Sequence, residues 1–153
     1  EAAGQTTTLA ALIDTLPRFT TTSAFAERAI MRIHSDSHAA LKSRFEAALQ
    51  DAWGRIEPVL AAQLGVRGWR LVNYERTAVR PGPSNRTGAE RGGLKVEFLD
   101  ASETARAFVW MRGSGTEPVF RVMADVEGER PELEAELLAW LRGLVSRADA
   151  TPA

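Results

Sequence analysis

The sequence predicts an α+β domain: a mainly antiparallel sheet of four or five strands with helices packed on one face. Two observations carry this. Apolar residues recur at helical spacing in the first half and at the C-terminus, whereas the second half switches to short, largely alternating stretches rich in β-branched and aromatic residues. The later connections between those stretches are short, which favours antiparallel neighbours.

The elements follow in order. Leu9, Leu12 and Leu16 place a short amphipathic helix over 7–16, with Pro17 ending it; so short a helix needs a partner surface to stay folded. A Thr-rich stretch over 19–23 leads to Arg-Ala-Ile-Met-Arg-Ile, a strand at 28–33. Ser35 or Asp36 can cap the next helix, 36–64, in which Leu41, Phe45, Ala48, Ala52, Ile56 and Leu60 keep helical spacing and Gly65 is the stop. Gly54 and Pro58 should bend or split it. Four more strands are expected at 69–75, 94–99, 106–111 and 119–126. Between the first two, 78–93 is crowded with glycine and proline and reads as a long loop, and 100–104 reads as a tight hairpin connection. The last helix begins at Pro131, carries Glu132, Glu134 and Glu136 near its positive end, and presents Leu133, Leu137, Leu141 and Leu144 on one face.

Composition narrows the function. The 153 residues are 44% hydrophobic and 25% charged, enough for one ordinary core, with a formal net charge of −1. That balance supplies no global basic field for nucleic acid, and no apolar run approaches the ~20 residues of a membrane span, so neither partner is expected. Cysteine is absent, which excludes disulfides and Cys-based metal sites and is compatible with the cytoplasmic location expected here.

The segment with chemical content is Arg-Gly-Ser-Gly-Thr-Glu-Pro-Val-Phe-Arg, residues 112–121, between two predicted strands. It brings two guanidinium groups, two hydroxyls and two glycines to one turn. Phosphate binding uses this combination: glycines let backbone N–H groups approach an anion, hydroxyls donate, and an arginine fork matches two phosphate oxygens. Composition alone leaves open a solvated turn with Arg112 paired to Glu117.

At these residues the chain resembles the α-D-phosphohexomutases, which comprise phosphoglucomutases, phosphomannomutases and phosphoglucosamine mutases. Their last domain carries an Arg-x-Ser-Gly/Asn-Thr-x-Pro loop, here Arg112, Gly113, Ser114, Gly115, Thr116, Glu117 and Pro118, followed by Arg121. Arg-Thr-Gly-Ala-Glu-Arg-Gly-Gly-Leu-Lys-Val-Glu-Phe upstream and Phe-Arg-Val-Met-Ala-Asp-Val-Glu-Gly downstream extend the likeness from Phe19 to the last helix. The resemblance implies a fourth, C-terminal domain of TBP-like fold that holds the substrate phosphate not being transferred, while a phosphoserine elsewhere donates its phosphoryl group. By this resemblance Arg112, Ser114, Gly115 and Thr116 contact phosphate and Gly113 supplies backbone; Arg121 either contacts phosphate or buttresses the loop. The phosphorylated hexose would be the ligand, and the missing N-terminal domains of the same enzyme the protein partner.

The family's serine motif, its Asp-x-Asp-Gly-Asp type metal loop and its Gly-Glu-x-Ser-Gly type sugar loop do not occur. Ser37 and His38 share letters with the serine motif but stand at a helix start, where Ser is an ordinary cap. The chain is therefore expected to be inactive alone, without a cofactor of its own; Mg2+ and a hexose bisphosphate activator are implied only for the full-length isomerase. Residues 1–18 would end a preceding domain and linker, 19–148 form the phosphate-binding domain and 149–153 a tail, with the hinge over 17–24.

Other candidates read as structural. His34 and His38, four apart, lack an evident third metal ligand and are expected as surface or capping residues. Asp125, Glu127 and Glu129 read as a solvated strand end, and Trp53, Trp69, Trp110 and Trp140 as core. Arg86 and Arg91, in the long loop, either line the same anion cleft or serve solubility. Two competing functions remain open at this stage: a stand-alone phosphosugar or anion-binding module, and an oligomerisation domain whose loop is incidental.

Overall fold

The structure is a computed structural model that describes residues 8–75, 78–82, 92–114 and 119–150. It is an α+β fold in which two long helices cover one face of a seven-stranded sheet whose strand pairs are all antiparallel. In chain order the elements are α1 (Leu9–Asp14), β1 (Phe19–Thr21), a 3-10 turn (Glu27–Ala29), β2 (Ile30–Arg32), α2 (His38–Leu64), β3 (Val66–Glu75), β4 (Ala78–Pro81), β5 (Leu94–Asp100), β6 (Ala105–Gly113), β7 (Val119–Glu127) and α3 (Pro131–Ala150). The sheet runs β1-β7-β6-β5-β3-β4, with β2 also on β7.

Period-two burial decides which face receives the helices. Leu94, Val96 and Phe98 of β5, Ala107, Val109 and Met111 of β6, and Phe120, Val122, Ala124 and Val126 of β7 are buried. They form one core with Leu41, Phe45, Leu49, Ile56 and Leu60 of α2 and Leu133, Leu137, Leu141 and Leu144 of α3. Each of these side chains larger than alanine contributes about 1.5–3 kcal/mol by leaving water, so the sheet–helix interface is the main source of stability.

The sheet is larger than the four or five strands expected. β4 lies inside the stretch read as loop, and its edge position tolerates Pro81, which lacks the N–H a central strand would need. The segment read as a hinge contains β1, in register with β7 through Phe19↔Glu127 and Thr21↔Asp125. It is tied further by side chains: the Thr20 hydroxyl donates to the Gly128 carbonyl at 2.7 Å and accepts from the Arg130 N–H at 2.8 Å. Thr22, 1% exposed, donates to Glu134, 2% exposed, which Arg28 meets at 2.8 Å. A buried carboxylate satisfied from two sides locks this segment to α3.

Three further expectations are corrected. Gly54 and Pro58 do not split α2, which is one helix of 27 residues. Ala52, Ile56 and Leu60 are buried on both sides of the proline, so packing sustains the helix, and Gly54, four residues earlier, is the residue best able to tilt its carbonyl away from the ring. Ser37, rather than Ser35 or Asp36, caps α2, accepting from the Ala40 N–H at 3.2 Å. The expected tail begins inside α3, where Asp149 accepts from the backbone N–H groups of His34 and Ser35 at 2.9 and 2.8 Å. Burial works to raise the Asp149 carboxyl, but these donors outweigh it and hold the group at about 2. The first helix, by contrast, has no buried residue, and Leu9, Leu12, Ile13 and Leu16 are exposed.

Replacing Thr22 by Val keeps the shape but removes the donor to a buried carboxylate. Urea denaturation should show a loss of about 2 kcal/mol; a change below about 0.5 kcal/mol would mean that this segment is not part of the cooperative fold.

Candidate functional site

Arg112 belongs to a strand, not to the loop assigned from sequence. β6 continues to Gly113, and register places Arg112 directly opposite Arg121 and Gly113 opposite Phe120. The Ser114 N–H donates to the Val119 carbonyl at 2.9 Å, so one more rung forms before the turn. Arg112 and Arg121 therefore project from the same face of the sheet, the one without helices, and both are exposed. Gly113 is buried and Ser114 half-buried. Gly115, Thr116, Glu117 and Pro118 lie outside the described residues, as do Arg86 and Arg91.

Like charges directly opposite each other on adjacent strands repel. Elsewhere on this face three cations are paired with carboxylates. Arg106 meets Asp100 at 2.8 Å and Glu127 at 2.9 Å, while Arg70 and Lys95 converge on Glu97 at 2.6 and 2.9 Å. The acidic residues at the end of β7 and just beyond it also have partners: Thr21 donates to Asp125 at 2.5 Å, and Arg18 meets Glu129 at 2.6 Å. Among the described residues no carboxylate pairs with Arg112 or Arg121; Arg121 donates one hydrogen bond, at 2.9 Å, to the Ala24 carbonyl. That bond fixes Arg121 from the β1–β2 connection, so it is a braced cation on the same face as Arg112. A hollow of about 220 Å3 is lined by Trp110, Arg112, Gly113, Ser114 and Arg121.

The helix face of this strand end is filled by His38, expected as a surface or capping residue and found half-buried at the start of α2. Its ring packs edge-on to Phe120, with centroids 5.1 Å apart, and lies so close to Gly113 that a Cβ at that position would overlap it. A side chain at 113 would thus have to displace the imidazole beneath the strand. One turn along α2, Lys42 is buried and its ammonium donates to the Gly92 carbonyl at 2.5 Å. The first turns of α2 therefore support both Gly113, where the strand enters the turn, and Gly92, where the chain returns into β5.

Trp110, assigned to the core, sits on the helix-free face beside Arg112, unlike Trp53, Trp69 and Trp140, which pack against the core. In Phe-Val-Trp-Met both parities are apolar, so alternation alone does not say which pair faces the helices. Pairing does: Met111 opposes Val122 and Trp110 opposes Met123. The facing arginines had a readable signal, since positions 112 and 121 are symmetric about the middle of the turn. His38 had none, because its role depends on a contact 75 positions away. His34 hydrogen-bonds Asp149 instead, at 3.0 Å, and the described residues contain no group of His, Cys, Asp and Glu arranged to hold a metal. No described helix is long and apolar enough to cross a membrane. No protein-family model matches the chain, and no curated protein matches it.

Burial of its ring, with the Lys42 ammonium nearby, pushes the His38 imidazole below its ordinary value. The unfolded chain then takes up a proton near pH 6.5 before the folded one does, so this contribution is intact above that pH and is lost as pH falls toward the folded value. Stability from urea denaturation should decline between pH 7.5 and 5.5, and the decline should shrink in His38→Gln. An unchanged pH slope in the variant would show that His38 titrates as it does in the unfolded chain.

Proposed function

We propose that this chain is the substrate-phosphate-binding domain of a phosphohexomutase, with Arg112 and Arg121 as its paired cationic contacts. The observation that carries the reading is the facing of these arginines across the β6–β7 rung that leads into Ser-Gly-Thr-Glu-Pro, without a carboxylate among the described residues. A dianionic phosphate between them would turn mutual repulsion into two charge-assisted contacts. Ser114, Gly115 and Thr116 contribute by family resemblance.

On this reading Arg121 contacts ligand and is also a buttress, since one of its nitrogens already bonds Ala24. The domain acts as a lid: the phosphate grip and the phosphoserine of another domain converge on one hexose phosphate, and closure positions the reacting hydroxyl. The exposed apolar residues Leu9, Leu12 and Ile13 of α1, with Leu16 just after it, support a neighbouring domain, because they offer it a surface. Because the site favours ground state and transition state alike, it supplies binding and not chemistry by itself.

Titration of isotopically labelled chain with glucose 6-phosphate should move the amide resonances of Arg112, Gly113 and Ser114, with a dissociation constant of about a millimolar for a single contact surface. Arg112→Lys keeps the charge but loses the fork and should weaken binding by roughly 1–2 kcal/mol. Resonances that stay still at tens of millimolar ligand would refute the reading.

A further inference from the structure

Next to the arginine pair the helix-free face is hollowed into a cleft of about 580 Å3, lined by Tyr74, Lys95, Phe108, Trp110, Arg112 and Met123. Trp110 and Arg112 line this cleft and the smaller hollow as well, so the two share a wall. We propose that the cleft is a ring subsite: a hexose phosphate held at Arg112 and Arg121 lays the apolar face of its pyranose ring on the Trp110 indole, and this domain reads the sugar as well as the phosphate. The inference rests on the phosphate reading above and extends it to the ring.

Three observations support a built site. First, the row Arg106, Phe108, Trp110, Arg112 on β6 puts the two aromatics on the outward face of a strand, where solvation alone would favour polar residues. Second, the indole is backed by main chain. A Cβ at Gly93 would overlap its Nε1, Cε2 and Cζ2 atoms, so the ring rests on the glycine backbone and loses little freedom when a ligand covers it. Third, the wall carries few polar groups, and they suit hydroxyls. The Lys95 ammonium is positioned 4.3 Å from the centre of the Phe108 ring and 2.9 Å from Glu97, and Tyr74 brings a phenol. A pyranose offers the matching pattern, with C–H groups on one face and hydroxyls at the rim. The cleft also falls in the size range that encloses small organic ligands.

The test compares inorganic phosphate, glucose 6-phosphate and adenosine monophosphate on the intact chain at constant ionic strength. Glucose 6-phosphate should bind about fivefold more tightly than inorganic phosphate and should shift the Trp110 indole N–H resonance, which inorganic phosphate leaves in place. In Trp110→Leu the ratio of the two affinities should fall to near one, and in Tyr74→Leu it should fall part of the way. Equal affinities with an unmoved indole resonance would overturn the ring subsite while leaving the phosphate reading standing. Failure of every anion to bind would overturn both. Tighter binding of adenosine monophosphate than of glucose 6-phosphate, by a margin that Trp110→Leu removes, would overturn the assignment to a hexose.

Discussion

The arrangement of this domain depends on the two-residue period of one strand. In β6 the residues Ala107, Val109, Met111 and Gly113 face the helices and are buried, while Arg106, Phe108, Trp110 and Arg112 face away from them. A slip of one residue would carry two arginines and an indole into the core and expose Val109 and Met111, so pairing with β5 and β7 is fixed by burial. The same constraint sets what can happen at the strand end. Gly113 must face α2, and the space it leaves is taken by His38. Arg112 must face outward, and its partner across the rung is Arg121.

Along the helix-free face, Arg70, Lys95 and Arg106 each find carboxylates, whereas the arginines at the turn face each other. That break in the pairing is one that the proposed anion would offset. The break is reinforced from behind: Ala24 holds Arg121, His38 fills the space under Gly113, and Lys42 holds Gly92. Arg121, braced in this way, needs no large rearrangement to meet an anion, which lowers the entropic cost of binding.

Most of the layer architecture was legible in the sequence. Leucine spacing gave α2 and α3, and alternation gave the four long strands, because burial on one face writes itself into the period of the chain. β1 and β4 were not legible: three and four residues are too few to show a period, and one holds threonines while the other ends in proline. The motif was visible as a list of residue types, but its geometry was not. That Arg112 is a strand residue, that Trp110 belongs to the open face and that His38 underlies Gly113 all follow from pairings between distant positions. The likeness to phosphohexomutases drew attention to this turn; the facing arginines draw attention to it independently of the likeness.

The central claim is that Arg112 and Arg121 trade stability for an anion site, and thermal unfolding tests it most directly. The wild-type chain and Arg112→Gln are compared in phosphate and in chloride at matched ionic strength and pH. In chloride the variant should melt at a higher temperature than the wild type, because a repulsive cross-strand pair is gone. In phosphate the wild type should gain stability as a ligand-bound protein does, and the variant should gain little. A variant that melts lower in chloride, or a phosphate effect equal in both proteins, would contradict the account.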